Sequence, residues 1–470
     1  MNKALGSHPQ WVLIGIYLIL GSLWALLIPP FEKPDEIHHF AYVQFVMQER
    51  KIPKISADNP VFLRWEVFQP PLYYFGGALV YRIGVLFGLS ETNLDAWFPR
   101  INTNFLKDNS KANLSFFYHF ESLTHPQGSF PYDLILIRLF SLFLGGVTLI
   151  FIYKTALLAF RGEIWLAVLT AGIIAFMPQF TFITSSVSND VLASTLGAIS
   201  IFQLHRLGKA TSGKYYWDYF LLGLVMGLGF MTKNYFFSLL PLVLFSALVF
   251  DKNTLLRRFQ GLLIFSATLL FVSGWWFLRN FLLYQNVLGN FWEISAFYSS
   301  QVAPRSLFSP YFFSHAPIFW ISLGESLIGR FGFLHIAMPT IYYKLFLWLL
   351  LASLVGIIIY FIRRNRSLIE LNPLVFNLLV VFMAITQSIY FNLSVSSAQG
   401  RHVFYALSSI GIVFVTGLSS LFSAFWERIL SMTGKSPPGV IPSRDPILMI
   451  LSVLAAINLY ALFIVVLPQY

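Results

Sequence analysis

The 470-residue sequence has no cysteine, and only 11% of its residues are charged. Without cysteine there is no disulfide, no thiol nucleophile and no cysteine-ligated zinc or iron–sulfur centre. A soluble domain carries about 25% charged residues, so the shortage of charge argues against a soluble enzyme or a disordered chain. Internal repeats, heptad seams and low-complexity tracts are also missing. Acidic residues are the scarcer sign, 20 against 31 Lys and Arg, giving a net charge of +11. That excess suggests a nucleic-acid binder only if it forms a soluble patch.

What is present is apolar: 57% of the residues are hydrophobic and 18% aromatic. A membrane-spanning helix needs roughly 20 such residues. Apolar runs near 11–30, 133–153, 162–181, 190–205, 217–232, 235–250, 260–281, 341–362, 372–391, 402–424 and 446–468 are candidate spans. The expected fold is all-α, a polytopic transmembrane bundle of about eleven spans in one membrane domain over 1–470. The first run ends in Leu27-Ile28-Pro29-Pro30 without a small-residue cleavage pattern, so it is read as a retained span.

The basic residues set the orientation. Lys154/Arg161, Arg206/Lys209/Lys214, Lys252/Arg257/Arg258, Arg363/Arg364/Arg366 and Arg428/Lys435/Arg444 fall in alternate short connections. By the positive-inside rule this face is cytoplasmic, with the N-terminus inside and the C-terminus outside. The parity holds only if Pro71–Leu89 lies on or dips into the membrane without crossing it. Two sizeable external segments remain, 31–132 with interfacial helices and 282–340. The expected location is the plasma (inner) membrane, with the positive charge an orientation signal and no role for nucleic acid.

The scarce acidic residues are concentrated. Ten of the 20 lie in 31–132: Glu32, Asp35, Glu36, Glu49, Asp58, Glu66, Glu91, Asp95, Asp108 and Glu121. Polar groups also recur at outer helix ends, at Asp133, Arg138, Asn189-Asp190, Lys233-Asn234, Arg279-Asn280 and Gln399-Gly400-Arg401-His402. Singly each has a plain explanation: Ser188-Asn189-Asp190 is an N-cap signature, and Lys233, Arg279 and Arg401 can snorkel. Both signs gathered on one face favour a shared site for an anionic ligand. In Pro34-Asp35-Glu36-Ile37-His38-His39-Phe40 the spacing predicts a helix start, with Asp35 and Glu36 within one turn of His39. A carboxylate beside an imidazole suits a general base acting on a hydroxyl. A charged N-cap explains the same residues, and so does a divalent-cation site, which lacks an obvious fourth ligand.

Together the motifs resemble those of the GT-C superfamily of integral-membrane glycosyltransferases. The plan is similar to bacterial aminoarabinose transferases, protein O-mannosyltransferases and a bacterial membrane-protein branch with the same motifs. Gln69-Pro70-Pro71-Leu72-Tyr73-Tyr74 resembles Q-P-P-L-Y-Y, and Ser188-Asn189-Asp190 resembles S-N-D. Met231-Thr232-Lys233 resembles L-T-K, and Trp275-Trp276-Phe277-Leu278-Arg279-Asn280 resembles W-W-x-x-R-N. Gly329-Arg330-Phe331-Gly332-Phe333 with Met338-Pro339 resembles F-G-W followed by L-P, and Gln399-Gly400-Arg401-His402-Val403-Phe404 resembles Q-G-R-Y-x-F. His402 and Phe333 depart from the pattern without removing a charge.

The resemblance implies a polyprenyl-phosphate-linked sugar as donor and a lipid, glycan or protein acceptor. It also implies transfer outside the cytoplasm with inversion, catalysed by an Asp/Glu base. Asp35 or Glu36 would be that base, with His39 orienting it. Arg279 and Arg401 would stabilise the leaving phosphate, since guanidinium groups bind phosphate oxygens in pairs. Lys233 and Arg138 would assist, while Asp190, Gln69, Tyr73 and His402 would line the substrate site. A lipid or solute transporter and an O-antigen-type polymerase or ligase are the competing readings. The first needs mid-span charges and repeat symmetry; the second does not need the acidic pair.

Overall fold

The computed structural model describes residues 8–56, 58–89, 91–95, 101–104, 107, 115, 131–207, 215–289, 310–363, 372–395, 398–432 and 444–470. Within these the architecture is helical. One short hairpin pairs Arg330–Phe331 antiparallel to Ile336–Ala337. Parts of the two segments expected to be external, including 116–130 and 290–309, lie outside the described residues.

Each of the eleven apolar runs falls on helical structure. Seven helices are long and apolar enough to cross a membrane: Pro9–Leu27, Tyr132–Ala159, Leu255–Tyr284, Thr340–Arg363, Pro373–Leu393, Gly400–Ile429 and Arg444–Gln469. The run 162–181 is a bent pair, Ile164–Ala175 and Pro178–Thr184, turned by 65°. Pro178 sits in the first turn of the second piece, where its missing N–H costs nothing. The other three are shorter or more polar. Tyr215–Phe230 has 16 residues. Asn189–Leu207 buries Asn189, Asp190, Ser194, Thr195, Ser200 and Gln203. Asn234–Phe250 joins a 3-10 turn, one α-helical stretch and a π-helical turn. Leu72–Leu86 has only 15 residues, about 22 Å of helix against a hydrocarbon core of about 30 Å.

The core gathers the two ends of the chain. Trp24 packs against Phe182 and Phe331 at centroid distances of 5.7 and 5.4 Å. Its indole N–H donates to Asn458 Oδ1 at 2.8 Å, and Asn458 Nδ2 donates to Thr181 Oγ1 at 2.8 Å. A buried indole of this kind needs an acceptor, and the one it finds ties the first helix to the C-terminal one. Elsewhere hydroxyls join helices directly, as with Tyr17 to Thr184 at 2.7 Å and Thr148 to Thr195 at 3.0 Å.

Close backbone approach fixes the segment that carries Arg401. The 3-10 stretch Gly400–Ala406 lies against the Asn189–Leu207 helix, where a Cβ on Gly197 would come within 2.5 Å of the Tyr405 carbonyl oxygen. A Cβ on Gly400 would meet Leu327 Cα at 2.2 Å, and the Gly400 N–H donates to Ser326 Oγ at 2.8 Å. Neither neighbour is a flexible side-chain tip. Gly400→Ala is therefore expected to destabilise the protein by about 1–3 kcal/mol through overpacking, read as a lowered unfolding temperature in detergent. An unchanged transition would mean that this approach is not tight.

Candidate active site

The site grows from breaks between helices. The chain leaves the first helix at Leu27, runs through Pro29-Pro30 and turns at Asp35, whose φ is 57°. This left-handed conformation is one that Asp tolerates better than most residues. Asp35 stands at the N-cap of Glu36–Glu49 but makes no side-chain cap. Instead its carboxylate pairs with the Arg401 guanidinium through Nη2. Arg401 Nη1 lies 3.6 Å from Asp190 Oδ2, and Asp190 Oδ1 accepts from Lys233 Nζ at 2.5 Å. Two carboxylates and two cations from separate segments thus alternate in one chain. The Asp35 side chain keeps 38% of its surface open, against 8% for Arg401 and 1% for Asp190. It is the member most open to an incoming group.

The neighbouring carboxylate has another fate. Glu36 is fully buried and accepts from Arg138 Nε at 2.8 Å and Nη2 at 2.5 Å. It also accepts from the backbone N–H groups of Phe31 and Val187, both at 3.1 Å. Arg138 spends its other protons on the carbonyls of Ala25, Ile28 and Pro29. These two residues hold the turn, and both side chains are closed off from solvent.

Several predicted residues converge beside the ion pairs. Ser188 Oγ accepts from the Asp190 N–H at 3.2 Å, so the capping reading holds for Ser188 while Asp190 itself turns to Lys233. Asn189 Nδ2 reaches Gln69 Oε1 and the Tyr74 hydroxyl, each at 3.3 Å. The Leu72 N–H donates to the Met231 carbonyl at 2.9 Å, joining the Gln69–Tyr74 stretch to the turn before Lys233. Tyr73 bonds Ser141 and the Ser188 N–H, a bracing contact. His402 packs against Tyr235 and Phe391 at 5.9 and 4.8 Å. His39 bonds the Tyr74 hydroxyl at 2.9 Å and does not reach for its acidic neighbours in sequence. Arg279 stands apart from the chain of ion pairs. It donates to the Pro53 carbonyl at 2.9 Å and stacks 4.9 Å from the Trp276 ring.

Two buried residues had no distinguishing mark in the sequence. Lys33 donates to the Trp24 carbonyl and to Ser185, and burial together with nearby Arg138 lowers its proton affinity far below that of a free lysine. Glu66 is buried with its Oε2 3.7 Å from His39 Nδ1 and no hydrogen-bond partner on that oxygen. Burial, followed by the Asp35 charge, pushes Glu66 up to about 8. Burial lowers His39 to about 3, leaving a neutral imidazole at physiological pH. For Asp35 burial acts upward, but the charge and hydrogen bond of Arg401 win and hold it well below the usual carboxylate range. As for a divalent cation, no group of three or more His, Asp and Glu side chains comes together among the described residues. Asp35 and Asp190 are already engaged by Arg401 and Lys233.

Comparison with known proteins bears on this arrangement. Residues 133–277 match the family model for dolichyl-phosphate-mannose-protein mannosyltransferases. Across 91% of its length the chain superposes on 63% of ArnT from Cupriavidus metallidurans, solved bound to undecaprenyl phosphate, with a TM-score of 0.53 and 16% identity. The chain has the GT-C glycosyltransferase fold. The oligosaccharyltransferase of Archaeoglobus fulgidus also resembles it, with a TM-score of 0.50 and 12% identity over 94% of this chain and 53% of that one. In sequence, 137 residues are 26% identical to the undecaprenyl phosphate-alpha-4-amino-4-deoxy-L-arabinose arabinosyl transferase of Serratia proteamaculans. That stretch is 29% of this chain and 24% of the relative, so the chain spans only about a quarter of the curated relative that it matches. Within the GT-C fold the family match covers Arg138, Asp190 and Lys233, while Asp35, Glu66 and Arg401 lie outside it.

Two outcomes follow. Glu36→Gln or Arg138→Met breaks a fully buried pair and should cost about 3–5 kcal/mol of stability. Asp35→Asn should unfold near the native temperature. An equal loss in all three variants would contradict the division of labour between Asp35 and Glu36. Glu66 holds its proton more tightly folded than unfolded. Its contribution to stability is complete below its ordinary value of 4.5 and is lost as pH rises to about 8. The unfolding temperature of the native chain should fall relative to Glu66→Gln across that interval and run parallel above it.

Proposed function

We propose that this protein transfers a sugar from a polyprenyl-phosphate donor to an acceptor hydroxyl on the extracytoplasmic face of the plasma (inner) membrane. The observation that carries the reading is the Arg401 guanidinium. It is buried between Asp35 and Asp190, yet its Nε and Nη1 have no hydrogen-bond partner. Unsatisfied, charged, buried donors are costly, and an ionised phosphate oxygen is the acceptor that suits them. Lys233 lies along the same chain of charges. The concentration of basic residues in alternate loops supports placing this site on the opposite, outer side.

The chemistry follows from competition for Arg401. While Arg401 is paired with it, Asp35 is ionised but weakly basic. A donor phosphate draws the guanidinium toward itself, and the Asp35 carboxylate then regains proton affinity beside the acceptor. The acceptor O–H gives its proton to Asp35 as its oxygen bonds the anomeric carbon. The bond from that carbon to the phosphate oxygen breaks, and the electron pair leaves on the phosphate, where Arg401 and Lys233 offset the growing charge. Glu36 is occupied by Arg138 and two backbone amides. Asp35 is the most open carboxylate among the described residues of the site, which supports one displacement, hence inversion. His39 steadies the site through Tyr74.

Asp35→Asn in proteoliposomes should lower transfer from undecaprenyl-phosphate-linked sugars by about 10²–10⁴-fold. The same variant should bind bare undecaprenyl phosphate at least as tightly as the native chain, because Arg401 is released. Arg401→Ala should weaken that binding by roughly tenfold or more. Near-native transfer by Asp35→Asn, or unchanged lipid affinity in Arg401→Ala, would sink the proposal.

A further inference from the structure

Glu66 is held in place with some care. It lies in the turn before the Leu72–Leu86 helix, where the Glu66 N–H donates to Leu63 and its carbonyl accepts from the Gln69 N–H at 3.0 Å. His38 Nδ1 clamps the same turn through the Phe62 carbonyl at 2.7 Å. The carboxyl is thereby fixed beside His39 and next to a stack of rings. Tyr42 lies on Tyr74 at 3.7 Å, and Tyr74 on His39 at 5.9 Å. The Tyr42 hydroxyl bonds the Gln69 carbonyl at 3.3 Å.

Besides His402 Nδ1, which serves as donor or acceptor according to its tautomer, the site atoms without a hydrogen-bond partner divide by chemistry. On one side are the donors Nε and Nη1 of Arg401. On the other are two carbonyl-type oxygens without partners, Glu66 Oε2 and Asn189 Oδ1, each on a residue at least nine-tenths buried. Gln69 and Tyr74 link Asn189 to the same turn and ring stack. Phosphate answers the first set but offers no proton to the second. A sugar hydroxyl both donates and accepts, so it satisfies a carboxyl in either protonation state and an amide oxygen as well.

We propose that Glu66, with Asn189 beside it, selects the transferred sugar by hydrogen-bonding one of its hydroxyls, while Arg401 holds the phosphate. This rests on the transferase reading above. Glu66 is a specificity-determining residue in it, separate from the base.

The test measures binding to the full chain in nanodiscs with no acceptor present, so that only the donor sugar is probed. The ligands are bare undecaprenyl phosphate, undecaprenyl-phosphate-linked pentoses and hexoses, and their single-deoxy counterparts. The native chain should bind at least one sugar-bearing lipid roughly tenfold or more tightly than the bare lipid. Glu66→Ala should erase most of that advantage while leaving bare-lipid affinity within about twofold. One deoxy sugar should reproduce the loss in the native chain and add nothing in Glu66→Ala. Glu66→Gln keeps the volume and should re-rank the deoxy series, which decides the matter if Glu66→Ala fails to fold. Preserved ranking in the Gln variant, or an equal loss of bare-lipid binding, overturns the assignment of Glu66 alone. If the native chain neither prefers nor transfers any of the linked sugars, the transferase reading falls, and this proposal with it.

Discussion

The buried pair of Glu36 and Arg138 is the fixed point from which the site is laid out. Arg138, on the Tyr132–Ala159 helix, donates to three carbonyls where the first helix ends, at Ala25, Ile28 and Pro29. Those carbonyls have lost their helical partners and would otherwise be stranded in an apolar surrounding. Glu36 in turn accepts from the Phe31 and Val187 amides. One carboxylate and one guanidinium thus join the end of the first helix, the start of the next and the turn before Asn189–Leu207. A buried pair rarely adds net stability over apolar packing. Here its value is positional, since Asp35 adjoins Glu36 and Asp190 follows three residues after Val187.

Adjacent carboxylates in sequence therefore come to opposite ends. Asp35 and Glu36 differ by one step of backbone, and the left-handed turn at Asp35 sends one to Arg401 and the other to Arg138. Burial with four hydrogen bonds leaves Glu36 no capacity for a substrate. Asp35 keeps more than a third of its side chain open and is paired with Arg401. The proposed base must be poised yet able to gain a proton, and an ion pair for which a donor phosphate would compete meets both demands.

Much of this was legible in the sequence because apolar runs and their interruptions mark helices and helix ends. Ser188-Asn189-Asp190, Lys233, Arg401 and the Asp35-Glu36 pair all sit at such breaks, and the structure brings all of these but Glu36 into one cluster. Periodicity could not say which acidic neighbour points inward, since that depends on one dihedral angle and on an arginine 102 residues away. Nor could it separate Arg279 from Arg401. Both follow a break and an aromatic run, but Arg279 spends its charge on the Pro53 carbonyl and the Trp276 ring. Glu66 was one acid among ten in residues 31–132. Only the fold shows that burial and a neighbouring imidazole set it apart. Composition alone also marked 190–205, 217–232 and 235–250 as spans like the rest. Their buried hydroxyls, short length and broken backbone make them the inner, site-bearing helices.

The charge balance of the site gives these parts a common logic. Asp35 and Asp190 balance Arg401 and Lys233, so the chain of ion pairs is neutral by itself. A third ionised carboxylate would leave an uncompensated negative charge where the proposed reaction brings an anionic lipid phosphate, at a cost that low dielectric magnifies. Glu66 avoids this by keeping its proton up to about pH 8 under the pressure of burial and of Asp35. The same pressure grows when a phosphate arrives, because another negative charge favours the neutral acid further. In the proposed reaction, a carboxyl that stays uncharged can therefore sit close to the donor and hydrogen-bond its hydroxyls without repelling its phosphate. In that reaction Arg401 and Lys233 would exchange part of their pairing with Asp35 and Asp190 for the charge growing on the leaving group.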